Sequence, residues 1–256
     1  MQKLLSTICL LILFVSAGNA FAGSAGEPLR VAVDAPYPPF AEIDKQGNLT
    51  GFDVDIANAL CAELKRPCTI KVVPFDDIIP GVVAGDIDMG VAGMGPTAER
   101  KQLVDFTGHY FRSMSIFIGK KGVAHVVSPA AFKGTRIGVQ KGTIQEEYAR
   151  EQFAEFSFVI SRSTQDDLNV MLFEGELDII LMDGLPAYSF LKTEAGSAFE
   201  TIGDPIELNV ASTSGCIAVS KKNPKLLQEL DKAIQTLRRN GEYGKINRKY
   251  FDFNVY

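Results

Sequence analysis

Tryptophan is absent from the 256 residues, histidine occurs twice and cysteine four times. His109 and His125 stand alone in the sequence and fit surface or satisfied core positions better than metal ligation. There is no G-x-S-x-G, no P-loop, no H-E-x-x-H and no paired C-x-x-C, so the common hydrolase, nucleotide and zinc chemistries lack their residues. Gly90-Val91-Ala92-Gly93-Met94-Gly95 has the wrong glycine order for a dinucleotide fingerprint. Basic residues are in deficit, 26 against 31 acidic, which argues against nucleic-acid binding. No apolar run approaches the ~20 residues of a spanning helix. Nor does any stretch combine low hydrophobicity with a charge run, so disorder is excluded as the main state.

What is present begins with an address. Lys3, the apolar stretch Leu4 to Val15 and the Ala20-Phe21-Ala22 cleavage pattern make residues 1–22 a signal peptide, cut after Ala22. The remaining chain is expected in the periplasm. It keeps Cys61, Cys68 and Cys216. Six residues separate Cys61 from Cys68, which matches no common zinc spacing and suits a disulfide in an oxidising compartment. Cys216 lies in an apolar run and reads as a buried thiol.

The chain then reads as α/β. Leu29 to Val33, Thr69 to Val73 and Met89 to Ala92 are β-type runs. Between them lie a helix starting near Asp53, with Val54, Ala57, Leu60, Cys61 and Leu64 at helical spacing, and a short helix Ile78 to Val83 ending at Gly85. This order implies a mostly parallel sheet. The pattern returns: Leu29-Arg30-Val31-Ala32-Val33 resembles Thr135-Arg136-Ile137-Gly138-Val139, and Gly85-Asp86-Ile87-Asp88 resembles Gly175-Glu176-Leu177-Asp178. Two lobes of similar topology are expected. A last helix, capped by Asn223-Pro224 and stopped by Gly241, belongs to neither repeat and must dock back on one lobe.

Ligands in open α/β sheets bind beyond the carboxyl ends of the strands. Four loops qualify: Asp34 to Phe40, Ala92 to Arg100, Gln140 to Gln145 and Met182 to Gly184. Arg100, after a glycine-rich turn, is suited to hold a carboxylate. Asp183 either accepts from an ammonium group or caps the next helix. Tyr37 and Phe75 either pack on a ligand or belong to the core. Asp34 is a site or a turn residue, Asp53 a site residue or a helix cap. One cation and one anion satisfy a zwitterionic amino acid; the leftover carboxylates favour a ligand with a cationic side chain.

These residues resemble the periplasmic amino-acid-binding proteins of ABC importers (solute-binding protein family 3), particularly the lysine/arginine/ornithine- and histidine-binding branch. The resemblance rests on Asp34-x-x-Tyr37-x-Pro39-Phe40, Gly51-Phe52-Asp53-x-Asp55, Asp105-Phe106-Thr107, Gly142-Thr143-x-Gln145 and the ending Lys249-Tyr250-Phe251-Asp252-Phe253. Cys61 and Cys68 match that branch's disulfide. It implies a type II binding-protein fold. Residues 27–111 and 210–256 would form lobe 1 and 112–209 lobe 2, with crossings near 112–116 and 207–214. It further implies that Arg100 holds the ligand carboxylate, Asp183 the α-amine, Tyr37 and Phe75 the side chain, and Asp34 with Asp53 its far end. Ala92, Gly93 and Gly95 line the first-lobe side, and Thr143 and Gln145 close the second. The family often has hydroxyl residues where this chain has Ala92, Gly93 and Gly95, and a threonine is common where Ile144 stands, so the floor is roomier and open to a bulkier ligand, an opine-like derivative for example.

The expected protein is thus a monomeric carrier without cofactor or metal, delivering an amino acid to a membrane permease. The rival is an exported lyase resembling cyclohexadienyl dehydratase, for which Glu174 is the nearest candidate acid. A sensory module is a third class, without a signalling segment to support it.

Overall fold

Two sheets carry the architecture, and each alternates its side chains between two apolar layers. The structure, a computed structural model, describes residues 27–122, 126–208 and 214–256. The predicted signal peptide and His125 lie outside the described residues, as does most of the segment 207–214. The elements are β1 (Leu29–Val33), the hairpin β2 and β3 (Glu42–Ile43, Leu49–Thr50), α1 (Phe52–Glu63), β4 (Cys68–Val72), α2 (Phe75–Ala84), β5 (Met89–Met94), α3 (Ala98–Leu103), β6 (Val104–Phe106) and β7 (Phe111–Arg112). They continue with β8 (Ser115–Lys120), β9 (Arg136–Gln140), α4 (Ile144–Phe153), β10 (Phe158–Arg162), α5 (Gln165–Glu174), β11 (Ile179–Asp183), α6 (Gly184–Leu191) and β12 (Phe199–Ile206). β13 (Ser214–Ser220), α7 (Pro224–Arg239) and α8 (Glu242–Tyr250) close the chain.

The first sheet runs β4-β1-β5-β13-β6, the second β10-β9-β11-β8-β12. In each, three parallel strands come from a βαβαβ run, and the fourth place is taken by an antiparallel strand, β13 in one and β8 in the other. Each of these fourth strands follows a stretch of chain from the other sheet, so the first lobe contains both ends of the described chain. Period-two alternation sets the layers. Leu29, Val31 and Val33 of β1 face the layer covered by α1, α7 and α8, while Ala32 faces α2. In β11, Ile180 and Met182 join Leu168 and Leu172 of α5, while Ile179 and Leu181 meet Phe117, Phe132 and Phe153.

The sequence repeat has a physical cause. Arg30 donates from its backbone N–H and its guanidinium to Asp88, at 2.8, 3.0 and 2.7 Å. Arg136 does the same to Asp178, at 2.7, 3.1 and 2.7 Å. In both lobes an arginine at the start of the first strand clamps the aspartate that leads into the third. The glycines closing the intervening helices, Gly85 and Gly175, both adopt the left-handed conformation open to a residue without a Cβ.

The docking of α7 follows its expected signals. Asn223 accepts from the Leu226 N–H, Pro224 takes the first position, and Leu226, Leu230, Ala233, Ile234 and Leu237 are buried against the first lobe. Cys61 and Cys68 are joined, tying the end of α1 to β4, and Cys216 is free and buried, its thiol pushed up to about 12 by burial. A loop this short confines the unfolded chain modestly. Reducing the disulfide, or replacing both cysteines by alanine, is expected to cost about 2.5 kcal/mol in urea denaturation. No described helix is long and apolar enough to cross a membrane.

Candidate functional site

Between the sheets lies a narrow crevice with a cavity volume of about 40 Å³, lined by residues of both lobes. All eleven residues singled out in the sequence line it: Asp34, Tyr37, Asp53, Phe75, Ala92, Gly93, Gly95, Arg100, Thr143, Gln145 and Asp183. Phe40, Phe111, Gln140 and Ile144 complete the wall. Among these four, Gln140 is the last residue of β9, the strand-end position where ligand loops begin. Phe111 carried no sequence signal, because its role depends on the strand β7 that pairs with β13.

Arg100 sits in α3 behind Thr97, whose hydroxyl accepts from the Arg100 backbone N–H at 3.2 Å. Its guanidinium donates to the carbonyl of Gly95 at 2.8 Å and, across the lobes, to that of Gly142 at 2.9 Å. It also lies 5.3 Å from the centre of the Phe75 ring. Burial lowers its pKa to about 10, which leaves it cationic at neutral pH. It makes no ion pair among the described residues, so its charge is available to an anion in the crevice. Phe75, the first residue of α2, is in the crevice because that helix starts three residues earlier than its apolar spacing predicts. Gly142 permits the close approach of the lobes: its φ is +74°, and a Cβ there would lie 2.9 Å from Asp76 Cβ. Lys141 beside it pairs with Asp76 at 2.6 Å.

Three carboxylates line the crevice along with this one guanidinium. Asp34, 6% exposed, follows β1 and accepts from the Gln140 side-chain amide at 2.6 Å. Burial pushes its carboxyl up to about 6, against the pull of that hydrogen bond. Asp183 does cap α6: one of its oxygens accepts from the Leu185 N–H at 2.9 Å and from the Ser113 hydroxyl at 2.7 Å. Burial again raises its carboxyl to about 6. Capping uses only that oxygen, so the cap and an interaction in the crevice are compatible. Asp53 is not a cap. Gly51 occupies the N-cap position of α1, and the Asp53 carboxylate accepts from Tyr110 at 2.7 Å. The same hydroxyl accepts from the Gly93 N–H at 2.8 Å, so Tyr110 fixes one crevice residue against another. Burial holds the Asp53 carboxyl well above its ordinary range.

On the second-lobe side, Thr143 caps α4 and donates to the Gln140 carbonyl at 2.7 Å, and Gln145 donates to the Ser115 hydroxyl at 3.0 Å. Both are held by their own lobe. Tyr37 stacks on Phe40 with ring centres 5.9 Å apart. Glu174 is at the exposed end of α5 and does not line the crevice. The acid invoked for a lyase is therefore misplaced, because α5 ends at the opposite edge of its strand from the ligand loops. No cluster of three or more histidine, cysteine, aspartate or glutamate residues suited to a metal ion occurs among the described residues.

The raised values of Asp34 and Asp183 mean that the folded protein holds their protons more tightly than the unfolded chain. Their contribution to stability is complete below the ordinary carboxylate pKa of about 4 and is lost as pH rises through about 6. Without added ligand, the urea midpoint of the wild type relative to an Asp34→Asn/Asp183→Asn variant is expected to decline across this window. A difference flat in pH would mean that neither group is perturbed.

The sequence profile of the bacterial extracellular solute-binding proteins, family 3, matches residues 29–253. The chain belongs to this family. Among the family's curated members, the L-arginine-binding protein of Pseudomonas aeruginosa is 35% identical over all of this chain and 99% of its own length. The lysine/arginine/ornithine-binding periplasmic protein of Escherichia coli is 32% identical with the same coverage. Among solved structures, an ancestral arginine-binding protein bound to arginine superposes with a TM-score of 0.82 at 32% identity, over 89% of this chain and 99% of the other. An ancestral amino-acid-binding protein described as a precursor of cyclohexadienyl dehydratase superposes at 0.79 with 29% identity, over 88% and 96%. These curated family members are binding proteins.

Proposed function

We propose that this protein captures a cationic L-amino acid between its lobes in the periplasm and delivers it to the membrane permease of an ABC importer. The charge pattern of the crevice carries the reading. Arg100 is paired only with carbonyls and takes the ligand carboxylate. Asp183 takes the α-ammonium group through the oxygen its cap leaves open. Asp34, buried with no ion pair among the described residues, takes a positive side-chain end. Asp53 supports this wall through Tyr110 rather than leading the contact. Tyr37 and Phe75 supply apolar area for the aliphatic stem. The lobes close by a hinge in the crossing near 112–116. Ligands of the arginine- and lysine-binding relatives fit the same pattern.

A thermal-shift screen of the twenty amino acids and a set of opines tests it. At a hundredfold excess over Kd a ligand adds about 2.7 kcal/mol, or several degrees for a chain of this size. Basic amino acids are expected to give the largest rise. Shifts from acidic or apolar amino acids alone would contradict the assignment.

Affinity should also depend on pH, in a known direction. A cationic ligand needs Asp34 and Asp183 ionised, so calorimetry is expected to show binding weakening as pH falls through about 6, by roughly tenfold per pH unit for each carboxylate protonated. Affinity unchanged at pH 5 would remove both groups from ligand contact.

A further inference from the structure

Among the described residues, Gln140 is the one side chain of the second lobe that hydrogen-bonds to a carboxylate of the first inside the crevice. It is 5% exposed at the end of β9. Its Nε2 donates to Asp34 Oδ2 at 2.6 Å and to the Ser163 carbonyl at 3.2 Å. Both amide hydrogens are thereby used, and the amide is fixed at both ends. The remaining atom, Oε1, accepts from no donor among the described residues, and Gln140 lines the crevice next to Asp34 and Phe75. An amide oxygen left open at a ligand wall is an acceptor waiting for a donor.

The geometry points to Gln140 as a specificity-determining residue that makes the Asp34 end of the crevice select a planar, multi-donor side-chain end, a guanidinium, over an ammonium of similar length. This rests on the reading that the crevice takes a basic amino acid. Asp34 has part of its capacity occupied by the Gln140 amide and so offers only some of its lone pairs to a ligand. An ammonium is a compact charge that can be served by Asp34 alone. A guanidinium carries five N–H groups spread over a plane, more than one partly occupied carboxylate can satisfy. Gln140 Oε1, coupled to Asp34 through the 2.6 Å bond, supplies an acceptor beside the carboxylate, from the opposite lobe. A guanidinium that bonds to both also ties the lobes together at this end, whereas an ammonium held by Asp34 does not.

Calorimetry of the wild type, Gln140→Leu and Gln140→Met with L-arginine and L-lysine separates the possibilities. Two variants guard against one that fails to fold, and a cooperative thermal transition qualifies each. Losing the acceptor is expected to weaken arginine by roughly tenfold, the worth of one hydrogen bond to a charged group, and lysine by less than about threefold, so the preference for arginine shrinks. Equal losses for the two ligands would show that Gln140 only positions Asp34, and no loss would show that it does neither; either overturns the inference. A wild type that binds no basic amino acid fails the function reading itself, visibly in the wild-type arm, and takes this inference with it.

Discussion

Replacing Arg100 by alanine is expected to weaken ligand binding by roughly 2–5 kcal/mol, a factor of about 30 to several thousand. The size follows from what the guanidinium is already doing. Two of its nitrogens are committed to the carbonyls of Gly95 and Gly142, which orients the fork before any ligand arrives. The ligand carboxylate then meets a preformed, partly desolvated cation and pays little to order it. Alanine leaves that carboxylate unpaired among three carboxylates of the wall. It also removes the Arg100–Gly142 bond, one of the contacts that hold the lobes together. Arg100→Lys should recover only part of the loss, because a compact ammonium lacks the planar fork that spans both carbonyls and still presents paired donors to a carboxylate. Calorimetry with the amino acid giving the largest thermal shift measures both variants. A loss below about 1 kcal/mol for alanine would place the ligand carboxylate elsewhere.

Phe52→Ala is expected to cost about 3–5 kcal/mol of stability, read from urea denaturation. Phe52 is fully buried and its ring lies 5.2–6.3 Å from those of Phe40, Tyr110, Phe111, Tyr243, Tyr250 and Phe251. These rings come from the loop after β1, from the segment around β7, and from α8 with the residue that follows it. A cavity at Phe52 therefore loosens the junction of three distant chain segments, and aromatic edges cannot all move in to fill it. The same cluster backs the crevice: Asp53 is the next residue, Tyr110 holds its carboxylate, and Phe40 and Phe111 reach the wall. The variant is accordingly expected to lose affinity as well. A cost under about 1 kcal/mol would mean that the neighbouring rings collapse into the space.

Several features of the chain could be read before folding because their causes are local. The α7 cap is complete within Asn223 to Leu226. Gly85 and Gly175 mark helix ends by backbone freedom alone. The Arg30–Asp88 and Arg136–Asp178 clamps left their trace as a repeated pattern, since both lobes need an arginine and an aspartate at the same strand positions. Asn48 to Gly51, in contrast, reads as a bare turn, yet Leu49 and Thr50 form β3 against Glu42 and Ile43. That pairing is too short to show alternation.

The site divides in the same way. Strand ends and residue types pointed to Arg100, Asp34 and Asp183, because charged groups at such positions need partners from outside their own segment. The choice between cap and site could not be made from sequence. Asp53 resembles a helix cap until Tyr110, 57 residues away, is seen to claim it. Asp183 turned out to serve as a cap with one oxygen to spare. Gln140 falls within a ligand loop, yet nothing in the sequence assigns it a role: an amide at a strand end is ordinary until it lies 2.6 Å from a carboxylate 106 residues distant.

Covalent neighbours therefore determined the elements, their ends, the repeat and the chemical character of the strand-end loops, since periodicity, caps and turn preferences act over a few residues. The tertiary structure alone decided which of those groups meet, which are already satisfied and which remain open to a ligand. Burial and hydrogen-bond pairing depend on the packing of two lobes whose contacting residues lie far apart in the chain, and no local pattern records that distance.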